Sequence, residues 1–200
     1  MCMNENNPIV ISGPSGSGKS LLIDYVEKNY PDFLEATGVT TREKRENEIG
    51  KMDFITKEEF EKLIVDNDLI EYCTYNHNYY GVSKKEFQKL IDYHLMFNVG
   101  YTSAKVIKNL YPNTFMIYLL PPTKEELLRR LGNRGYERYL TGMNETMDNA
   151  FNYDYLLISL TDDLYSTTNC LMDIVNQKSE SKKRKLTLAK NKDFINSFYK

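Results

Sequence analysis

The 200-residue sequence lacks any apolar run long enough to cross a lipid bilayer, so we expect no membrane partner. Its first seven residues are polar and lack the apolar stretch of a signal peptide, which leads us to expect a cytoplasmic protein. The length predicts one main domain with a small appendage. Hydrophobic residues make up 41% of the chain, which is enough to build a buried core.

Cysteine and histidine are also scarce. The three cysteines, Cys2, Cys73 and Cys170, are scattered and lack the CxxC spacing, which argues against both a disulfide framework and a zinc site. We expect Cys73 and Cys170 to be buried thiols because they fall in apolar stretches. We place His77 at a hairpin tip and His94 at a helix end, and neither has a second ligand at metal-binding spacing.

The chain carries little net charge, −2 in total, but the distribution is uneven. Residues 177–200 contain eight basic and two acidic residues, a net charge of +6, which leaves −8 for residues 1–176. The negative body does not favour nucleic acid as a partner. The basic cluster at residues 182–185 is either a patch for nucleic acid or a membrane, or a solvated helix end, which its brevity favours.

The most specific motif is a glycine-rich octapeptide. It consists of Gly13, Pro14, Ser15, Gly16, Ser17, Gly18, Lys19 and Ser20. An apolar run that predicts a strand comes before it, and a run that predicts a helix follows. Strand, glycine-rich turn, Lys-Ser and helix together are the sequence form of a phosphate-binding P-loop. The alternative, a glycine-rich turn without a ligand, is disfavoured because every fixed position of the motif is present.

The chemistry of this motif follows from its backbone. Glycines allow a tight turn that points successive N–H groups inward, and the first turn of the helix adds unpaired donors and a partial positive charge. A polyphosphate therefore fits there. Lys19 would reach the β- and γ-phosphates, and the Ser20 hydroxyl would ligate Mg²⁺.

Strands and helices alternate at both ends of the chain, which predicts an α/β fold. We expect a parallel sheet with helices on both faces, its first strand leading into the P-loop. The apolar run at residues 114–120 predicts a central strand. Capping boxes predict helix starts at Thr56, Ser83 and Thr123, and Asp162 is expected to cap the last helix. Residues 33–81 depart from the alternation and predict a small mixed subdomain.

Two arginine pairs could neutralise the charge of a transferred phosphoryl group. Arg42 and Arg45 lie three apart in a polar loop, where they could bind an acceptor phosphate or pair with neighbouring glutamates. Arg130 and Arg134 lie four apart, as expected for arginines delivered by a lid. Taken alone, however, that pattern favours cations at a helix C-terminus.

Glu71 is a carboxylate within an otherwise apolar strand. Such a group needs a partner when buried, and the N1–H and N2–H₂ of guanine would provide one. The alternative is a glutamate on an edge strand, exposed to water. In the following hairpin, Tyr79-Tyr80-Gly81 offers either a phenol for an acceptor phosphate or an aromatic core for the subdomain.

Seven motifs in this order resemble the guanylate kinase family. They are GPSGSGKS, TTREKRENE, IEY, NHNYYG, LLPPT, LLRRLGNRG and YDYLLI, and together they span about residues 8–175. The resemblance implies transfer of the γ-phosphoryl group of ATP to GMP, with Mg²⁺ as cofactor, by a monomer or a homodimer.

The resemblance also implies roles for particular residues. Catalytic residues would be Lys19, Arg42, Arg130 and Arg134, with the P-loop octapeptide binding ATP and Ser20 binding the metal. GMP would be bound by Arg42, Arg45 and Tyr80 through its phosphate and by Glu71 through guanine. The implied kinase domain spans residues 8–176, with a core at 8–32, 82–131 and 153–176, an acceptor-binding subdomain at 33–81 and a short lid at 132–152. Residues 177–200 would form a basic tail.

The chain departs from the family pattern mainly on the acceptor side. Gly38 replaces a serine, Met52 a tyrosine and Val82 a serine or threonine, while Asn98 and Gly100 replace two acidic residues. One lid arginine is missing, and Arg138 is its nearest substitute. Three functions stay open: a GMP kinase, a kinase for another nucleoside monophosphate, or a binding module with little catalysis. The intact P-loop favours an enzyme that uses ATP, and we prefer the GMP kinase.

Overall fold

The computed structural model describes residues 6–44, 46, 51–132, 149–160 and 163–176. The expectations for Arg45, Arg134, Arg138, the basic tail and most of the lid lie outside these ranges. Within them, no helix is long and apolar enough to span a bilayer.

The strands are β1 (Ile9–Ser12), β2 (Phe33–Glu35), β3 (Gly38–Thr40), β4 (Met52–Phe54), β5 (Leu69–Tyr75), β6 (Asn78–Ser83), β7 (His94–Phe97), β8 (Phe115–Leu120) and β9 (Tyr155–Ile158). The α-helices are α1 (Lys19–Asn29), α2 (Lys57–Val65), α3 (Lys84–Phe87), α4 (Tyr101–Leu110), α5 (Lys124–Leu131) and α6 (Leu164–Val175). Short 3₁₀ helices span Gln88–Ile91 and Ala150–Asn152.

Five parallel strands form the main sheet in the order β2-β7-β1-β8-β9. Alternate residues of β8 enter two separate cores because successive side chains of a strand point to opposite faces. Met116 and Tyr118 pack in the core that includes α4 and α5. Ile117 and Leu119 pack in the core that includes α1 and α6. Helices on both faces explain why β8 is a continuous apolar run, and the predicted fold class is confirmed.

A second, mixed sheet of four strands has the order β4-β3-β6-β5. Strands β3 and β4 are parallel, whereas β6 runs antiparallel to both β3 and β5. Helix α2 covers one face of this sheet through Phe60, which packs with Val39 and Leu69. The hairpin between β5 and β6 turns at Asn76 and His77, both with positive φ, so the predicted position of His77 at a hairpin tip is confirmed.

The two sheets meet at residues 36 and 37, immediately after β2. Strand β2 pairs with β7 in the main sheet, so the mixed sheet begins at Gly38 rather than at residue 33. A hydrogen bond fixes this two-residue connection, because Thr37 N–H donates to the Glu86 carboxylate over 2.9 Å. Glu35, at the end of β2, accepts a 3.1 Å hydrogen bond from Lys51 N–H, and burial raises its pKa to about 7. Glu35 and Glu86 thus connect the main sheet to the entry of the mixed one.

Only one of the three predicted capping boxes is complete. Thr56 accepts from the Glu59 N–H over 3.2 Å, and the Glu59 carboxylate accepts from the Thr56 N–H over 2.7 Å. Ser83 and Thr123 also accept the expected amide hydrogen bonds. The glutamates three residues after them, however, bind other groups, because tertiary partners compete with the local cap.

Three smaller predictions were wrong. His94 is the first residue of β7 rather than a helix end, and its ring stacks on Phe33 at a centroid distance of 4.9 Å. Asp163, one residue later than expected, caps α6. Cys73 and Cys170 are half-buried rather than buried.

Candidate active site

The P-loop lies between β1 and α1 with three glycines at positive φ: Gly13 at 148°, Gly16 at 83° and Gly18 at 96°. A Cβ atom on Gly13 would lie 2.2 Å from the carbonyl oxygen of Leu119 in β8. A Cβ atom on Gly18 would lie 2.7 Å from the Ser159 hydroxyl. Glycine is therefore required both by the backbone conformation and by the close packing of the loop.

The loop presents donors rather than side chains to a ligand. Helix α1 begins after Gly18, and no described side chain caps its N-terminus. Its first N–H groups are therefore available to an anion. The Ser17 hydroxyl is buried and has no hydrogen-bond partner among the described residues. This combination is the arrangement that the sequence motif predicted for binding a polyphosphate.

The Lys19 ammonium group is folded back onto the loop. It donates to the carbonyl oxygens of Gly13 and Pro14, both over 2.8 Å. Burial lowers the pKa of Lys19 to about 8, because desolvation disfavours its charged form. Carbonyls compensate a buried cation only partly, so an incoming anion would stabilise the charge of Lys19.

Ser20 lies beside the segment that follows β7. The Asn98 side-chain amide donates to the Ser20 hydroxyl over 3.3 Å, which places Asn98 beside the predicted metal ligand. The described residues contain no group of three or more His, Cys, Asp or Glu side chains that could hold a metal on their own. A hydroxyl and an amide fit Mg²⁺ that arrives with a nucleotide, because that ion keeps water and phosphate ligands.

Arg130, on α5, lies against the P-loop rather than at the protein surface. Its guanidinium donates to the Ser17 carbonyl oxygen over 3.3 Å and to the Ser159 carbonyl oxygen over 3.1 Å, and Glu126 accepts from its Nε over 2.7 Å. Its neighbour Arg129 is exposed and pairs with the same glutamate. Arg130 is therefore the arginine that this helix brings to the phosphate loop.

A pocket lies next to the loop, on the side of α6. It is lined by Gly16, Gly18, Leu21, Arg130, Ser159 and Leu164. Leu21 is 42% exposed although it is apolar, which is expected for a side chain that meets a flat, apolar group of a ligand.

The mixed sheet presents a second candidate surface on the face opposite α2. Two rows of paired residues cross its four strands on this face. One row is Glu71, Val82, Gly38 and Met52, and the next is Cys73, Tyr80, Thr40 and Phe54. We call this surface the acceptor face. Tyr79 points the other way and stacks on Phe60, so Tyr80 is the tyrosine of the pair that shares a face with Glu71.

Glu71 is buried, with 7% of its surface exposed, although β5 is the edge strand of its sheet. Helix α4 packs against β5, which rules out the alternative of a glutamate in water. One carboxylate oxygen, Oε2, has no hydrogen-bond partner among the described residues. Burial raises the pKa of Glu71, and the Ser103 hydroxyl of α4 opposes this shift. A ligand with N–H donors would satisfy the unpaired oxygen.

Arg42 follows β3 at the border of the acceptor face. Its guanidinium lies 5.1 Å from the centre of the Phe54 ring, and it donates to the Glu43 carbonyl oxygen over 2.9 Å. Its backbone N–H donates to the buried Thr40 hydroxyl over 3.3 Å. Arg42, Glu71 and Tyr80 are therefore brought to one surface, while Arg45 and Arg134 lie outside the described residues.

Three departures from the family pattern fall in one row of this face. Gly38 pairs with Met52 on one side and with Val82 on the other. A Cβ atom on Gly38 would lie 2.8 Å from the Met52 sulfur. The methionine thus occupies the space that a side chain at position 38 would need, and the two residues are matched to each other.

Three residues of the site were not identified from the sequence. Ser159 accepts from the Arg130 guanidinium, Ser103 contacts Cys73 of the acceptor face at 4.0 Å, and Asn98 donates to the Ser20 hydroxyl. Asn98 had been recognised only as a lost acidic residue. Isolated serines on an ordinary strand end or helix have no pattern of their own, and only the pairing of distant segments reveals these contacts.

Comparison with known proteins gives a consistent result. The guanylate kinase family model matches residues 5–178. A guanylate kinase of Carboxydothermus hydrogenoformans is 32% identical over 192 residues, covering 91% of this chain and 93% of that protein. One of Wigglesworthia glossinidia brevipalpis is 37% identical over 191 residues, covering 89% and 91%.

A crystal structure of guanylate kinase from Anaplasma phagocytophilum has a similar fold. The TM-score is 0.67 at 24% sequence identity, and the match covers 86% of each chain. The family model spans most of the chain, and two relatives exceed 30% identity over nearly all of it. The chain therefore belongs to the guanylate kinase family.

Proposed function

We propose that this protein is an ATP-dependent GMP kinase, which converts ATP and GMP into ADP and GDP. The observation that carries the proposal is the position of residues 98–103. At one end the Asn98 amide donates to the Ser20 hydroxyl of the P-loop over 3.3 Å, and at the other the Ser103 hydroxyl donates to the Cys73 sulfur of the acceptor face at 4.0 Å. One short segment therefore contacts both candidate sites, as a direct transfer between two nucleotides requires.

The donor would bind on the P-loop. The N–H groups of the loop and of the first turn of α1 would hold the β- and γ-phosphates, and Lys19 would neutralise their charge. The pocket beside Leu21 and Leu164 would receive the adenine. Arg130 already lies against the loop, which supports a role in stabilising charge on the transferred group.

Bound Mg²⁺ would neutralise charge on the donor phosphates. The Ser20 hydroxyl and the Asn98 side-chain oxygen are the groups of this chain that would hold the ion. The 3.3 Å hydrogen bond between these two side chains supports the assignment, because both lie within reach of one ion at the entrance of the P-loop.

The acceptor would bind on the acceptor face. The Glu71 carboxylate would accept hydrogen bonds from N1–H and N2–H₂ of guanine, which supplies the missing partner of its buried oxygen. Arg42, Arg45 and Tyr80 would bind the phosphate of GMP. A phosphate oxygen of GMP would then attack the γ-phosphorus, and the bond from that phosphorus to the oxygen of the β-phosphate would break to release ADP.

This assignment divides the chain into functional parts. We propose that the main sheet carries the donor site, that residues 33–81 carry most of the acceptor site, and that residues 132–152 form a lid with Arg134. The other two functions considered from the sequence are not favoured, because the curated relatives at more than 30% identity are guanylate kinases and the P-loop is intact.

The test is formation of GDP by the purified protein from ATP, Mg²⁺ and GMP, followed by a coupled assay for ADP. Lys19→Ala should abolish turnover because it removes the cation on the donor phosphates, whereas Lys28→Ala, on the exposed side of α1, should leave it unchanged. Glu71→Gln should raise KM for GMP by about tenfold because the amide can accept from only one of the two guanine donors.

The control for Glu71→Gln is Glu58→Gln, which changes an exposed carboxylate of α2. A panel of AMP, CMP, UMP and GMP separates the alternatives. Turnover of another monophosphate in preference to GMP would indicate a changed acceptor, and GMP binding without turnover of any monophosphate would indicate a binding module.

A further inference from the structure

Thr40 is the last residue of β3 and is completely buried. It lies in the acceptor face between Tyr80 of β6 and Phe54 of β4. Its hydroxyl donates to the Tyr79 carbonyl oxygen over 2.8 Å and accepts from the Arg42 N–H over 3.3 Å. One partner is thus Arg42 itself, and the other immediately precedes Tyr80. Thr40 therefore joins the two described side chains that are predicted to bind the acceptor phosphate.

On the Arg42 side, the hydrogen bond fixes the turn by which the chain leaves β3. A threonine hydroxyl that accepts from the N–H two residues later stabilises a local turn of this kind. After the turn, the Arg42 guanidinium lies 5.1 Å from the centre of the Phe54 ring, a favourable cation–π contact. Because Phe54 is paired with Thr40 in the sheet, adjacent members of one row hold the backbone and the guanidinium of Arg42.

On the Tyr80 side, three hydrogen bonds tie the backbone of Tyr79 to the end of β3. The Tyr79 carbonyl oxygen accepts from the Thr40 hydroxyl and, over 3.1 Å, from Thr41 N–H. The Tyr79 N–H donates to the Thr41 hydroxyl over 2.9 Å. Both threonines hold this residue, but among the described contacts only the Thr40 hydroxyl links it to Arg42. The roles of the two hydroxyls can therefore be separated by experiment.

We propose that Thr40 is a positioning residue that holds Arg42 and Tyr80 in place for one phosphate group. It sets the affinity of the acceptor site for the phosphate of the nucleotide rather than for the base. The proposal rests on the proposed function, in which both side chains bind the phosphate of GMP. Thr40 acts through its neighbours, because its hydroxyl is buried and its described hydrogen bonds go to the protein. Glu71, the candidate for binding the base, lies in the other row of the face.

The test compares Thr40→Val, which keeps the branched shape but removes the hydroxyl, with Thr40→Ser, which keeps the hydroxyl. Thr40→Val should raise KM for GMP about fivefold, because the hydrogen bond that fixes the Arg42 turn is lost, while KM for ATP stays unchanged. Guanosine has the base but no phosphate, so its inhibition constant against GMP should be the same for Thr40→Val and the wild type. Thr40→Ser should restore KM for GMP.

The matched control is Thr41→Val, which removes a hydroxyl bound to the Tyr79 backbone but leaves the bond to Arg42 in place. It should lower the urea midpoint of unfolding and leave KM for GMP near the wild-type value. An equal rise of KM in both valine variants would show that the strand pair is weakened as a whole, which overturns the positioning role. If Thr40→Ser behaves like Thr40→Val, packing rather than the hydroxyl matters, and the role is likewise overturned.

Calorimetric titration of GMP in the absence of ATP gives a dissociation constant that does not depend on turnover. If Thr40→Val binds GMP as tightly as the wild type, or if its guanosine inhibition constant rises in parallel, the role of Thr40 is overturned and the proposed function stands. If the wild type binds GMP but phosphorylates no monophosphate, while Thr40→Val binds GMP more weakly, the proposed function is overturned and the role of Thr40 stands. A wild-type protein that neither binds nor phosphorylates GMP overturns both proposals.

Discussion

The P-loop and the acceptor face are built on opposite principles. The P-loop is eight consecutive residues whose function lies in the backbone: three glycines at positive φ and the uncapped start of a helix. The acceptor face is assembled from side chains on four strands. One site depends on the absence of side chains, and the other on which side chains the register brings together.

The two sites also differ in what an added side chain would meet. At Gly13 an added Cβ would meet the rigid backbone of β8, whereas at Gly38 it would meet the flexible end of Met52. A backbone obstacle cannot move, but a methionine can be replaced or can shift. A side chain at Gly13 is therefore excluded, whereas one at Gly38 requires only that Met52 change or move.

We expect the largest effect from Gly13→Ala, which tests whether the P-loop depends on the absence of a side chain. The added methyl would lie 2.2 Å from the Leu119 carbonyl oxygen at a φ of 148°, so we expect no measurable GDP formation and a loss of about 3 kcal/mol or more in the free energy of unfolding. Urea unfolding and the coupled assay would measure both. Gly100→Ala adds the same methyl where nothing lies within 4 Å. Wild-type KM for ATP in Gly13→Ala would contradict the prediction.

The pH dependence should separate the two sites. Burial lowers the pKa of Lys19 to about 8 in the free protein, and bound phosphates favour its charged form, so ATP binding takes up a proton above that pH. KM for ATP should be constant below about pH 8 and rise by up to about tenfold per pH unit above it. KM for GMP should change little between pH 7 and 9, because arginine stays charged. Equal responses of the two KM values would count against this assignment.

Gly38→Ser tests whether Gly38 and Met52 are matched. The added side chain would lie 2.8 Å from the Met52 sulfur, so we expect a loss of about 1 kcal/mol in the free energy of unfolding. The same change made in a Met52→Ala background should cost much less, because the space is then open. A double-mutant cycle in urea measures the coupling. Purely additive effects would show that the two positions are independent.

The smallest expected effect is at Gly100, which caps α4 without a side-chain hydrogen bond. Gly100→Asp supplies an acceptor for the first turn of the helix in open space, so we expect a gain of a few tenths of a kcal/mol in stability. Gly100→Ala, which lacks the oxygen, should instead lower the stability. Thermal unfolding of the two variants measures the difference, and equal shifts would rule out capping.

Sequence patterns correctly predicted those helices and strands whose formation depends mainly on neighbouring residues. The helix predicted after the P-loop and the strand predicted at residues 114–120 are present as α1 and β8, because apolar runs and turns are properties of adjacent residues. The predictions failed where a distant partner competed. The Glu126 carboxylate binds Arg130 instead of completing the capping box at Thr123. Strand β2 pairs with β7 in the main sheet, although it directly precedes the mixed sheet.

The sequence alone determined the P-loop, because a strand, three glycines, a lysine and a helix are contiguous and their geometry depends on φ and on backbone hydrogen bonds. It named Arg42, Glu71 and Tyr80 as partners for GMP, and those roles stay predictions. Only the tertiary structure decided that these three side chains share a face and that Glu71 is buried where α4 packs against β5. Strand register and helix packing set these contacts, and both arise from segments far apart in the chain.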